Sequence, residues 1–333
     1  MKNVVVIGGG TGTYMVLTAI KHIPNINITA IVSSADSGGS TGILRDEFGQ
    51  LPVGDFRQCL VALAKDTNGD NILRDLFSYR FSRGGSGLEG HNFGNLLITA
   101  LTDILGSEED AFRKASKILN VQGRVFPITF DKIQLVAEYE NNDIGYGEAM
   151  IDDPTKEHDG SLRIKKLWCQ PKGKIFNKSK EAILDADYII LGPGDLYTST
   201  IANFVVGDTS KIIKNAKAKI IYICNLVSKW GQTHSLGATD YVLEIEKYLG
   251  KNMDYILINN KKLPSDSLKR YKAEKTYPVI DDLDKDLRVI RSPLLKNGEV
   301  KRTKGDRIKR SLIRHDSKKL ERVIASILGA TPD

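Results

Sequence analysis

The chain has 333 residues, 41% hydrophobic and 27% charged, enough to build a full core in one large domain or two ordinary ones. No apolar run reaches the roughly 18 residues of a membrane helix. The opening MKNVVVIGGG is too short an apolar run for a signal peptide, so Met1 reads as the start of a strand.

The cysteines Cys59, Cys169 and Cys224 are too scattered for a disulfide framework or a structural zinc site, so a reducing cytoplasm is expected. The net charge of +7 is uneven. Residues 261–322 hold 20 Lys and Arg against 10 Asp and Glu, which leaves the rest of the chain at −3. Within that stretch Lys301, Arg302, Lys304, Arg307, Lys309 and Arg310 cluster without an interleaved aromatic. This reads as a solvated basic face, or as a contact for phosphate or an acidic partner, and not as a nucleic-acid groove.

Along the chain, Asn3 to Ile7 is a β-branched run of the kind buried on both faces of a parallel sheet. Glycines follow from residue 8 to residue 12, broken only by Thr11. Tyr14, Leu17, Ile20 and Ile23 then recur at helical spacing, and Asn27 to Ser33 is a second strand. The order is that of a βαβ unit with a right-handed crossover. Helices are predicted at 58–65, 71–81, 95–105 and 108–119, the last with Ser107 as N-cap. From Arg124 the texture changes to short strand-like segments around Asn141-Asn142-Asp143 and His158-Asp159-Gly160. Residues 124–178 therefore read as an antiparallel, β-rich insertion at the edge of the main fold. The α/β rhythm returns with strands at 188–191, 219–224 and 255–258, and an amphipathic helix closes the chain at 318–328. One interrupted α/β domain spanning 1–333 fits this pattern, a Rossmann-like three-layer α/β/α parallel sheet carrying the insertion.

Five polar loops fall at helix starts or strand carboxyl ends, where open parallel sheets bind ligands. Gly8-Gly9-Gly10-Thr11-Gly12 brings free amides and a helix dipole suited to an anion, or is simply a tight turn. It departs from the dinucleotide fingerprint, with Thr13 at the last glycine position, which disfavours a nicotinamide dehydrogenase. Asp36, Ser37, Gly38, Gly39 and Ser40 offer hydroxyls, amides and a carboxylate for a ribose or a metal-bound diphosphate, or cap the next helix. Asp55 and Arg57 flank a Pro-Gly turn, where Asp55 is alternatively an N-cap and Arg57 pairs with phosphate or with a core carboxylate. His91, Asn92 and Asn95 sit in a glycine loop feeding a helix. Gly192, Pro193, Gly194, Asp195 and Tyr197 repeat the geometry of the first loop, with Asn225 at an equivalent level. Neither a catalytic triad nor a paired-carboxylate site can be placed. Among the histidines, His22, His158 and His234 lack metal spacing, and His315 reads as structural.

The segments GGGTG (8–12), ADSGGSTGILRDEFGQLPVGDFRQCLVALA (35–64), YRF (79–81), GHNFGN (90–95), LGPGDLYTS (191–199), YICNLVSKWGQT (222–233) and IRHD (313–316) together resemble the YvcK/CofD family, most closely its YvcK-like branch. The resemblance implies a Rossmann-like sheet with an inserted subdomain and a gluconeogenesis factor linked to carbon metabolism and cell shape. It also implies a site for UDP-sugars such as UDP-N-acetylglucosamine, to which Gly10, Thr11, Gly12, Asn225 and Arg314 belong. Ser317 stands where some relatives carry a regulatory phosphorylation. The CofD branch implies the alternative: Mg²⁺-dependent transfer of a phospholactyl-type group from a nucleotide diphosphate donor to a deazaflavin. The family's Asp-Asp-Gly-Gly loop has Ser37 in place of its second Asp here, and Asn92 stands where many YvcK-like chains have Ser. A nucleotide ligand, and a protein partner or a second copy, are the expected partners.

Overall fold

The computed structural model describes residues 1–66, 71–153, 159–298 and 311–330. The basic cluster at 301–310 and His158 lie outside them. Among the described residues ten strands are formed: β1 (Lys2–Gly8), β2 (Ile26–Val32), β3 (Arg124–Pro127), β4 (Gln134–Tyr139), β5 (Ile144–Tyr146), β6 (Ile164–Gln170), β7 (Tyr188–Leu191), β8 (Lys219–Ile223), β9 (Tyr255–Asn259) and β10 (Val289–Ser292). Seven of them make one sheet in the order β10-β9-β8-β7-β1-β2-β3, every pair parallel. The other three form an antiparallel sheet, β5-β4-β6.

The alternation of side chains along the central strands divides the interior in two. Val4 and Val6 of β1, with Ala30, Ile190 and Ile221, pack under the helices Gly10–Ile20, Gly54–Leu63 and Ser317–Leu328. Val5 and Ile7, with Ile31, Ile189 and Ile220, face Ile183, Ile213 and Tyr241 on the opposite side. Val4 to Ile7 are all but sealed from solvent, and each such side chain contributes about 1.5–3 kcal/mol of burial. The three-layer α/β/α sheet is thus as the sequence predicts.

The insertion is smaller than its predicted span. Arg124–Pro127 pairs parallel with β2 and is the edge strand of the main sheet, so the antiparallel part begins at β4. Alternation alone cannot reveal this, since a four-residue edge strand carries too short a pattern to show which sheet it joins. Leu135, Ala137, Tyr139, Ile164 and Leu167 of the small sheet share one core with Val5, Ile7 and Ile189.

A helix at Gly39–Phe48 begins inside the segment read as a loop. Its first turn, Gly-Ser-Thr-Gly, has the composition of a turn, and tertiary packing overrides that low helix propensity. Ser107 and Asp316 are N-caps, accepting from the backbone N–H of Asp110 at 3.2 Å and of Lys319 at 3.1 Å.

Candidate functional site

The strand order reverses direction between β1 and β7, the two neighbours whose following connections leave toward opposite halves of the sheet. Ile7 is paired with Leu191, so the turns after these strands open side by side at their carboxyl ends. In an open parallel sheet such a switch point is the natural crevice for a ligand.

The two turns touch. A Cβ placed on Gly12 would lie 1.5 Å from the Pro193 carbonyl oxygen, so only glycine lets the backbones approach this closely. Gly10 takes φ +63°, and the helix that starts there leaves its first amides pointing into the crevice. The Asn225 side-chain amide, just past β8, donates to the Gly194 carbonyl at 2.8 Å and ties a third strand end to the rim.

Two further loops close on the other flank. A Cβ on Gly9 would lie 2.3 Å from Asp55 Oδ2, and one on Gly54 would lie 3.1 Å from Asp36 Oδ2. The Asp55 carboxylate therefore borders the glycine turn, and that of Asp36 lies beside the turn that carries Asp55. Asp36 Oδ1 also accepts from the Gly38 N–H at 2.9 Å, which shapes the loop leading into the helix Gly39–Phe48. Ser40 Oγ lies 3.2 Å from His91 Nδ1, both buried, and Asn92 caps the helix Phe93–Leu105 by accepting from the Asn95 N–H at 3.2 Å. Residues 8–12, 36–40, 54–55, 91–92 and 192–195 are thus linked contact by contact along one rim.

Not every predicted residue points into it. Arg57 is buried and donates to Asn95 Oδ1 at 2.8 Å and to the Phe77 carbonyl at 2.9 Å, so both Arg57 and Asn95 are engaged in holding two helices together. Tyr197 is also buried, its hydroxyl donating to the Ile164 carbonyl. Arg314 is half-buried on a segment whose neighbour His315 bridges to Leu295 and hydrogen-bonds the backbone of Cys224, which sets it beside Asn225. Burial holds the His315 imidazole neutral, with its pKa pushed down to about 4. Ser317 is the first residue of the terminal helix.

Four residues that sequence reasoning did not single out complete the rim. The short helix Glu148–Asp152, from the insertion, brings two carboxyl groups to the loops after β2 and β7. Glu148 Oε2 accepts from the Ser37 N–H at 3.2 Å, and Ser37 Oγ accepts in turn from the Ala149 N–H at 2.9 Å. Burial, reinforced by the charges of Asp36 and Asp152, pushes the Glu148 carboxyl up to about 9, so it is protonated at neutral pH. Asp152 accepts from Thr198 Oγ1 at 3.2 Å, from Gln232 Nε2 at 2.7 Å and from Lys229. The Lys229 ammonium also contacts Asp195 at 2.9 Å. Burial raises the Asp152 carboxyl to about 6; for Asp195 the Lys229 ammonium outweighs burial and keeps it ionised. Lys229 and Gln232 lie within YICNLVSKWGQT, a segment already marked out by resemblance. Glu148 and Asp152 carry no local signal beyond the turn at Gly147.

The crevice thus has amides and hydroxyls on one side and a group of carboxyls bridged by one lysine on the other. Among the described residues no three His, Cys, Asp or Glu side chains converge as a ready metal cage. Asp36 and Asp55 are nevertheless hard oxygen donors at the edge of an anion-binding turn. That suits Mg²⁺, which takes one or two carboxylates and completes its shell with phosphate oxygens and water. No helix among the described residues is long and apolar enough to cross a membrane.

The likeness to known proteins covers nearly the whole chain. Residues 4–295 match the family model for 2-phospho-L-lactate transferase CofD. The gluconeogenesis factor of Bacillus subtilis is 35% identical over 331 residues, 98% of each chain. That of Halalkalibacterium halodurans is 40% identical over 284 residues, 84% of each. The crystal structure of a UPF0052-family protein from Bacillus halodurans superposes with a TM-score of 0.85 at 35% identity, covering 97% of this chain and 98% of its own. A family match on this scale shows that the chain belongs to the YvcK/CofD family.

Proposed function

We propose that the rim binds a nucleotide diphosphate-sugar of the UDP-N-acetylglucosamine kind. In this reading the chain is a regulatory protein linked to carbon metabolism during gluconeogenic growth and to cell shape. The observation that carries it is the contact of the Gly9–Gly12 turn with the Pro193–Gly194 turn at the switch point of the sheet. In this reading the diphosphate sits where the two turns meet, at the positive end of the helix that starts at Gly10. On the same reading Ser40, His91 and Asn225 hydrogen-bond the ribose or the base, and Arg314 meets a phosphate bidentately. The names of the relatives from Bacillus subtilis and Halalkalibacterium halodurans support the metabolic part of the reading. Calorimetric titration with UDP-N-acetylglucosamine is expected to give saturable heat, and the absence of any heat at millimolar ligand removes the proposal.

One observation favours a second reading. A protonated carboxyl, Glu148, stands beside the carboxylate Asp36, and such a divergent pair is the usual equipment of proton transfer. With Mg²⁺ held by Asp36 and Asp55, this suits transfer of a phospholactyl-type group from a nucleotide diphosphate donor to a deazaflavin. When bound, the ion would neutralise the diphosphate and lower the cost of ionising Glu148, which as a carboxylate would take the proton of the acceptor hydroxyl as the nucleoside monophosphate leaves. Mass spectrometry of a deazaflavin incubated with donor, Mg²⁺ and protein decides it, and an unmodified acceptor ends that reading.

A further inference from the structure

A pocket of about 400 Å³ opens beside the edge strand β3, between the helix Glu108–Ile118 and the start of the helix Asn177–Leu184, and no residue of the rim lines it. That volume lies within the roughly 300–1,000 Å³ of small-molecule sites. Its apolar lining centres on four phenylalanines: Phe112 from the first helix, Phe126 from β3, Phe130 from the loop after it, and Phe176, the N-cap of the second helix. Phe126 and Phe130 both meet Phe176 edge-on, with ring centroids 5.9 and 4.8 Å apart and interplanar angles of 73° and 89°. Edge-on contact covers less ring surface than stacking does, and all three rings stay half-buried. Cations stand around them. The Arg124 guanidinium lies 5.9 Å from the Phe126 centroid, the Lys178 ammonium 5.9 Å from that of Phe176, and Arg113 and Lys117 are one helical turn apart on the facing wall. Four cations against Glu109 leave the lining at +3. Glu109 is held by Lys178 at 2.7 Å and Arg113 by Asp110 at 2.6 Å, whereas Lys117 and Arg124 pair with no carboxylate among the described residues.

We propose that this pocket binds a small amphipathic carboxylate, a medium-chain aliphatic acid, as a second ligand of the protein. The chain of the acid lies across the phenylalanine rings, and its carboxylate meets Lys117 and Arg124. Because Arg124 and Lys178 each stand over a ring, an anion drawn to the cations brings whatever is attached to it onto an apolar surface. Covering that surface contributes the hydrophobic part of the affinity, and the charge fixes which end points outward. A free phosphate or a nucleotide would satisfy the cations and leave the rings in water. An uncharged lipid would do the reverse.

Two other occupants fit less well. A peptide strand added to the sheet needs free backbone groups along β3, which is four residues long and ends in Pro127, a residue without an N–H. The Pro127 carbonyl already accepts from Ser179 Oγ at 2.8 Å, and that of Ile128 from the Phe176 N–H at 2.9 Å, so the edge has little left to offer. A second copy of the chain, related by a two-fold axis, would bring the four cations against their own images.

Calorimetric titration of the full chain with decanoate tests the proposal. Saturable binding is expected, with butyrate and decanol each at least about tenfold weaker, because each keeps only one half of the complementarity. Lys117→Glu and Arg124→Gln, both at exposed positions, are each expected to weaken decanoate by at least about tenfold with unchanged far-UV circular dichroism. Lys211→Glu removes a cation from a different cleft, beside Tyr248, and is expected to leave the affinity as it is. The absence of saturable heat at millimolar decanoate overturns the proposal. So does an equal loss in Lys211→Glu, which would reduce the binding to general attraction by a basic protein. Displacement of decanoate by UDP-N-acetylglucosamine would put the acid in the rim and overturn it as well. An extended peptide of alternating Asp and Val that displaces decanoate at lower concentration would make the edge of β3 a strand-docking site, and the proposal would fall.

Discussion

The Gly9–Gly12 turn and the helix Glu148–Asp152 face the same crevice with opposite chemistry. The turn comes from the oldest part of the sheet's logic, a strand ending at a switch point, and offers backbone amides with almost no side chain. The helix comes from the antiparallel insertion and offers two carboxyl groups held above their ordinary pKa. A phosphate prefers the first side. The second side suits a cation, a proton or a sugar hydroxyl, and the proposed ligand has both an anionic and a neutral polar part.

If the anionic part is held by the turn, its geometry should tolerate the least change. Gly12→Ala forces a methyl group onto the Pro193 carbonyl oxygen, a collision with backbone on both sides that neither turn relieves without separating. We expect affinity for UDP-N-acetylglucosamine to fall at least about a hundredfold by calorimetry, the equivalent of about 2.7 kcal/mol. Gly10→Ala, where no atom stands within 4 Å of the new methyl but φ is +63°, should cost less. Equal losses at the two positions would mean that the approach of the turns is not what matters.

On the acidic side the largest effect is expected from the lysine. Lys229 is the cation that lies between Asp152 and Asp195, and Lys229→Ala leaves two carboxylates facing each other. The site is partly open to solvent, which screens the repulsion, so a loss of about 1–3 kcal/mol in chemical denaturation is expected. Combining it with Asp195→Asn should restore part of that loss. A double variant as unstable as the single one would show that Lys229 acts through packing of its chain and not through its charge.

The turn side of this comparison was legible in the sequence and the acid side was not. A strand of Val and Ile ending in four glycines within five residues has few other uses, and Gly192-Pro193-Gly194 repeats the arrangement. Both turns follow buried strands, which marks the carboxyl ends of the sheet, whereas the strand order and the switch point are set by pairings that only the structure shows. Glu148 and Asp152 are different. They lie on a five-residue helix between two strands of the insertion, and nothing within that stretch distinguishes them from surface acids. Only the packing of the small sheet onto the core of the large one brings them to Ser37 and Thr198. Arg57 shows the converse. Its spacing beside Asp55 suggests a phosphate ligand, yet the side chain is turned inward to Asn95 and Phe77, because two residues are about half a turn of helix and point to opposite sides. The edge strand β3 was assigned to the wrong sheet for a related reason: pairing partners distant in sequence leave no mark in four residues.

The effect most specific to the acid side concerns Glu148. Its carboxyl titrates near 9 in the folded protein against an ordinary 4.5 when unfolded, chiefly because burial disfavours the charged form. Between those two values the folded state binds one proton more than the unfolded state, so stability falls as pH rises through that window and is undiminished below it. Glu148→Gln is a neutral isostere of the protonated acid and still offers a carbonyl oxygen to the Ser37 N–H. It should leave the melting midpoint of the unliganded protein unchanged near pH 4.5. At pH 8 it should raise the midpoint, by an amount that grows as pH rises through that window. Mg²⁺ supplies a discriminating arm, because a cation beside Asp36 and Asp55 lowers the cost of ionising Glu148. With the ion and a nucleotide diphosphate present the advantage of the amide should shrink or change sign. A midpoint difference that does not depend on pH would mean that Glu148 is ionised in the folded protein, and the contrast between an amide-lined and a proton-holding side of the crevice would then fail at its second half.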